Sequence, residues 1–241
     1  MLIEINEVYK PKLKSPIIIE GFPGIGMVGT ISASYLSEKL GMKLAAYISS
    51  SHFPPIAAIH DYRPVSPARI YASEKLNLIV LFSEFIIPAD IVYLLSKKIM
   101  AYAEEKKAKA IYSLAGMASQ KPSAKIFGIA STTQMADRLR GSGVELVKEG
   151  ATQGVSGLLI SECANKGFPA ANLLIQTDAP MDPKGSAKLL SKLSEIIEVP
   201  IDVSTLLREA DSVEQKIKES IDKIKTMNTK YSEMAENPMY G

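Results

Sequence analysis

Short apolar runs, several of them rich in β-branched residues, alternate along the first 200 residues with longer stretches bounded by helix start and stop signals. The runs predict strands at 17–19, 43–49, 76–82, 109–114, 125–130, 144–147 and 172–177. The longer stretches predict helices from the glycine-rich turn at 21–26 to about residue 40, and over 88–107, 132–139, 156–165 and 183–197. Pro88 and Pro183 stand where a helix has no use for its first N–H, and Asp90 sits in a first turn where the macrodipole favours an acid. Ser156 and Asp182 read as N-caps. Residues 52–75, with Pro54, Pro55, Pro64 and Pro67, read as a loop with short extended pieces. Strands that alternate with helices of this length predict an α/β domain over 1–199, its mostly parallel sheet covered on both faces.

Pro200 marks a change of pattern. Beyond it, apolar or small residues at Leu206, Ala210, Val213, Ile217, Ile224, Met227, Tyr231 and Met234 are spaced alternately by four and three, with Ser220 breaking the series. That spacing predicts a long heptad-patterned helix over 200–235, with Val213, Ile217 and Ile224 as the central seam positions. The seam suits either the protein's own domain or a partner helix that would join protomers in a homo-oligomer. Pro238 and its neighbours then predict a short mobile tail over 236–241.

Composition narrows the function classes. Hydrophobic residues make up 46% and charged residues 22%, which permits a large core and excludes global disorder. Lys+Arg (28) and Asp+Glu (26) nearly cancel and are interleaved, so no nucleic-acid footprint is expected. Cys163 is the only cysteine and can form no intrachain disulfide; a small buried packing residue is expected there. No uncharged apolar run reaches the ~20 residues of a membrane helix, and acids occupy the N-terminus where a signal peptide would be basic. The expectation is a soluble, cytoplasmic protein.

Gly24, Gly26 and Gly29 make a literal GxGxxG between a predicted strand and helix. In a dinucleotide site such glycines admit the pyrophosphate to the helix N-terminus, and an acid about twenty residues on binds the ribose. Ser49, Ser50, Ser51 and His52 stand where that acid should be, so the glycines are read as serving a tight turn and close helix–sheet packing. Residues 154–158 miss the nucleophile-elbow pattern because position 158 is Leu158. With only His52, His60 and an isolated Cys163, no metal site is expected. Asp178 and Asp182 could pair as carboxylates, although Asp182 is better placed as a helix cap. No catalytic residue and no cofactor are assigned.

Three stretches, in order, resemble signatures of the archaeal and bacterial proteasome assembly chaperone family. They are residues 21–29 followed by Tyr35 and Leu36, residues 154–159, and Asp182, Pro183 and Lys184 before a helix with Ala187 and Leu190. The resemblance covers about 15–197 and implies a three-layer α/β fold similar to nucleoside phosphorylases, without their catalytic residues. Some members carry an ATP-grasp-like label, which no nucleotide motif of this chain upholds. Met239, Tyr240 and Gly241 fit the hydrophobic–tyrosine–any-residue (HbYX) ending of proteasome activators and some chaperones of the family. The resemblance implies that Met239 fills an apolar pocket between α-subunits of the core particle, Tyr240 packs at its edge, and the Gly241 carboxylate pairs with a lysine. The expected function is a non-enzymatic assembly chaperone or gate-opening adaptor. The alternatives are an enzyme or sensor that binds a nucleotide or small molecule at the 21–29 turn, and a plain oligomeric scaffold.

Overall fold

The computed structural model describes residues 3–208 together with Ala210, Glu219 and Thr226. The isoleucine run lies in β2 (Ile17–Gly21), every residue of which is buried. A strand alternates its side chains between two faces, so an unbroken apolar run requires cover on both. Ile17 and Ile19 enter one core and Ile18 the other. β7 (Leu78–Ser83) divides in the same way, with Leu78, Val80 and Phe82 in the first core and Ile79 and Leu81 in the second.

Helices supply the cover. α1 (Val28–Lys39), α3 (Thr133–Gly141) and α5 (Pro183–Ile197) close the first core with Val28, Ile31, Leu139, Leu190 and Leu193 among others. α2 (Ala89–Glu105) and α4 (Gly154–Asn165) close the second with Ile91, Leu95, Ile99, Leu159 and Ile160. Thr132 caps α3 by accepting from Met135 N at 3.2 Å, and Asp182 caps α5 by accepting from Gly185 N at 2.7 Å. A short helix, α6 (Ser204–Arg208), follows and buries Leu206.

The sheet also contains β1 (Glu4–Glu7), β3 (Lys43–Ser49), β6 (Ala68–Ser73), β8 (Ala110–Ala118), β9 (Ile126–Ala130), β10 (Glu145–Leu146) and β11 (Ala170–Thr177). Among the described residues its order is β1-β3-β6-β7-β2-β8-β11-β9-β10. The centre, β7-β2-β8-β11, is parallel, as is the β9–β10 pair. The β1–β3, β3–β6, β6–β7 and β9–β11 pairings are antiparallel, so the sheet is mixed. This corrects the expectation of a mostly parallel sheet, and the antiparallel β6 is the part of 52–75 that was not expected. That stretch contains a separate hairpin, β4 (Ala58–His60) and β5 (Arg63–Val65), and then β6, a full member of the sheet whose return beside β7 needs only a tight turn.

Candidate functional site

The first and third sequence signatures meet beside the carboxyl ends of β2, β8 and β11, and the second reaches Glu20 of β2 from the opposite face of the sheet. β2 ends at Gly21, a single 3₁₀ turn (Ile25–Met27) follows, and α1 begins at Val28. Close approach of backbones governs this turn. A Cβ on Gly29 would lie 2.5 Å from the Leu114 carbonyl oxygen and 2.7 Å from that of Phe22. Gly26 has φ +63°, and a Cβ there would meet Thr177 Cγ2 at 2.7 Å. Gly24 differs from both, being extended at φ −160° with nothing within 4 Å of a Cβ.

Two contacts tie the other signatures to this turn. Asp182 N donates to the Gly26 carbonyl at 2.9 Å, joining the start of α5 to the glycine turn. Glu20, completely buried at the end of β2, accepts from Phe22 N at 2.8 Å and from Ser156 Oγ at 3.2 Å. Asn172 Nδ2 of β11 donates to the Ser156 carbonyl at 3.2 Å. The N-cap of α4 is Gln153, so Ser156 is not the cap its position suggested. It lies in the first turn, and its hydroxyl reaches the sheet. Burial pushes the Glu20 carboxyl up, against the hydrogen-bond donors of Ser113, Phe22 and Ser156. Glu20 and Asn172 were missed in the sequence, although an acid directly after three isoleucines was the available signal.

The candidate chemical groups are scattered. His52 Nδ1 pairs with Asp90 at 2.8 Å, and His60 Nε2 with Glu84 at 2.9 Å. Cys163 is buried at 3.6 Å from Met100 Sδ, and burial pushes its thiol up to about 12. Asp178 is exposed, whereas Asp182 is engaged as a cap. Among the described residues no group of three or more His, Cys, Asp or Glu could hold a metal ion, and no helix is long and apolar enough to cross a membrane. Val213, Ile217 and Ile224, and Met239, Tyr240 and Gly241, lie outside the described residues.

The topology bears on the glycine pattern. A dinucleotide fingerprint belongs to a βαβ unit whose two strands are neighbours, so that the ribose-binding acid ends beside the turn. Here β3, the strand after α1, is separated from β2 by β6 and β7, about 14 Å at 4.8 Å per spacing. The Ile25 carbonyl also lies against β8, since a Cβ on Gly116 would be 2.1 Å from its oxygen.

A mixed sheet between two helical layers defines the class as a three-layer α/β domain. The chain belongs to the PAC2 family, which it matches over residues 18–221. It is 33% identical over 235 residues to an uncharacterized protein of Methanocaldococcus jannaschii, covering 97% of this chain and 96% of that one. Its structure is similar to that of Pyrococcus furiosus PbaA, an archaeal homolog of proteasome-assembly chaperone. The TM-score is 0.82 and the identity 30%, over 93% of this chain and 99% of that one. Pyrococcus furiosus PbaB, an archaeal proteasome activator, shares the fold at a TM-score of 0.75 and 22% identity, over 90% and 98% of the two chains.

Proposed function

We propose that this protein is a non-enzymatic partner of the proteasome, an assembly chaperone or gate-opening adaptor that docks on core-particle α-subunits through Met239, Tyr240 and Gly241. The observation that carries the reading is the similarity to the Pyrococcus furiosus proteasome-assembly-chaperone homolog, in sequence and fold, over nearly all of both chains. The separation of β3 from β2 supports it, because a dinucleotide fingerprint at 21–29 belongs to a βαβ unit whose two strands are adjacent. In this reading residues 1–199 are the scaffold. The 200–235 stretch is the helix that joins protomers through Val213, Ile217 and Ile224, and 236–241 is the docking tail. A single tripeptide buries little surface, but several copies on one oligomer gain affinity through effective concentration. A tail from residue 235 to 241 reaches roughly 20 Å at ~3.3 Å per residue, enough to absorb a mismatch in symmetry.

The test is capture of purified proteasome α-rings by the full chain, by a variant lacking the last three residues, and by Tyr240→Ala. Both variants are expected to lose binding by at least about tenfold while keeping fold and oligomeric mass, because an aromatic anchor at an interface centre carries much of its energy. Parental affinity in both would overturn the docking mechanism. A clear rise in melting temperature with millimolar NAD, FAD or ATP would instead favour the ligand-binding alternative, since a ligand of the native state stabilises by mass action.

A further inference from the structure

Beneath α4, two fully buried oxygen atoms have no hydrogen-bond partner: Oε2 of Glu20 and Oδ1 of Asn172. Glu20 on β2 and Asn172 on β11 are each aligned with Ser113 of β8, which lies between them. Residues directly opposite in a sheet share a face, so the three form one polar row across three strands. Ser156 roofs the row, with its hydroxyl on Glu20 and its carbonyl on Asn172. Ser113 has one hydroxyl proton and can satisfy only one of the two acceptors, Glu20 Oε2 and Asn172 Oδ1, whereas a protonated carboxyl supplies a second donor.

We propose that Glu20 is held as the neutral acid at neutral pH, its Oε2 proton donated to Ser113 Oγ and the Ser113 proton to Asn172 Oδ1, and that this relay latches the 21–29 turn to the N-terminus of α4. Oε1 remains the acceptor for Phe22 N and Ser156 Oγ, so the two oxygens have different roles. Three neutral donors, Phe22 N and the hydroxyls of Ser113 and Ser156, reach Glu20, and no cation compensates an ionised carboxylate there. Its neighbours in register are Leu81 on β7 and Ser113 on β8. Of the side chains that α2 and α4 bury, only Tyr102 and Cys163 titrate, and burial pushes both up to about 12, so neither is charged at neutral pH. Burial also raises the Glu20 carboxyl above its ordinary value of 4.5. The folded chain therefore holds this proton more tightly than the unfolded chain. Its contribution to stability is complete below the unfolded value and is lost as pH rises through the folded one.

Thermal unfolding of the full chain from acid to mildly alkaline pH, with infrared spectroscopy of the folded protein, tests this. The parent is expected to lose melting temperature as pH rises, and Glu20→Gln, whose amide supplies a permanent donor, to flatten that loss. The parent should also show a protonated-carboxyl C=O stretch at neutral pH, which Asn172→Leu shifts because the acceptor at the end of the relay is gone. If Glu20→Gln does not fold, the infrared arm still decides. A Glu20→Gln variant with the parental pH slope, a parent without the band, or a band that Asn172→Leu leaves unmoved would each overturn the latch.

Discussion

Two glycines of the same motif are asked for different things. At Gly29 the absence of a Cβ lets α1 rest on the backbones of β8 and Phe22, with the Leu114 and Phe22 carbonyl oxygens 2.5 and 2.7 Å from where the Cβ would be. Backbone cannot move aside as a flexible side chain can, so Gly29→Ala is predicted to cost about 1–3 kcal/mol. Gly24 is extended and faces open space, so Gly24→Ala is predicted to be neutral or to stabilise by up to about 1 kcal/mol, by restricting the unfolded chain. Urea unfolding of both variants checks the pair, and equal losses would show that the motif acts as a unit. Glu20 was readable only as the residue after a strand, because an ionisable side chain is not expected to be fully buried unless it is paired. Its burial is a property of what α4 places over it.

At the scale of elements, the strands and helices with strong signals were legible and those built around an exception were not. The predicted helix over 88–107 is α2 at Ala89–Glu105, and that over 183–197 is α5 with matching bounds. Both have proline at the start and a run of buried apolar positions. β6 was hidden by the prolines before it and by Arg69, a buried charged residue on the strand's otherwise half-buried face. Arg69 is only 4% exposed, bonded to Glu84 and set against the rings of Tyr71 and Phe82. Breaking such a pair leaves a desolvated charge behind. Arg69→Ala is therefore predicted to destabilise by about 3 kcal/mol, and Arg69→Met by clearly less because it keeps the packing. Denaturant midpoints of the two variants measure the difference, and identical losses would assign the role to charge alone. β1 was missed because it is a four-residue edge strand with an acid at each end, and partial exposure of its side chains leaves little pattern to read.

For the whole molecule, the homo-oligomer reading makes a separate prediction. Glu at both Ile217 and Ile224 would bury unpaired charge in the proposed seam, so the double variant should fall to protomer mass by light scattering while its far-ultraviolet spectrum stays that of the parent. An unchanged mass would mean that the helix does not join protomers. The chain's pattern by itself determined that there is a sheet with helices on both faces, since β-branched runs and capped helical stretches are local signals. It also supplied the three glycine- and cap-centred signatures. The order of the strands was not in that pattern. Whether β3 lies beside β2 or beyond β6 and β7 depends on which pairings bury the most surface together, and every candidate neighbour presents a similar apolar run. Only the tertiary structure therefore decided that β3, the strand after α1, lies three places from β2, and that Glu20, Ser113, Ser156 and Asn172 share one buried row. Contacts between residues as far as 136 positions apart leave no period in a single sequence.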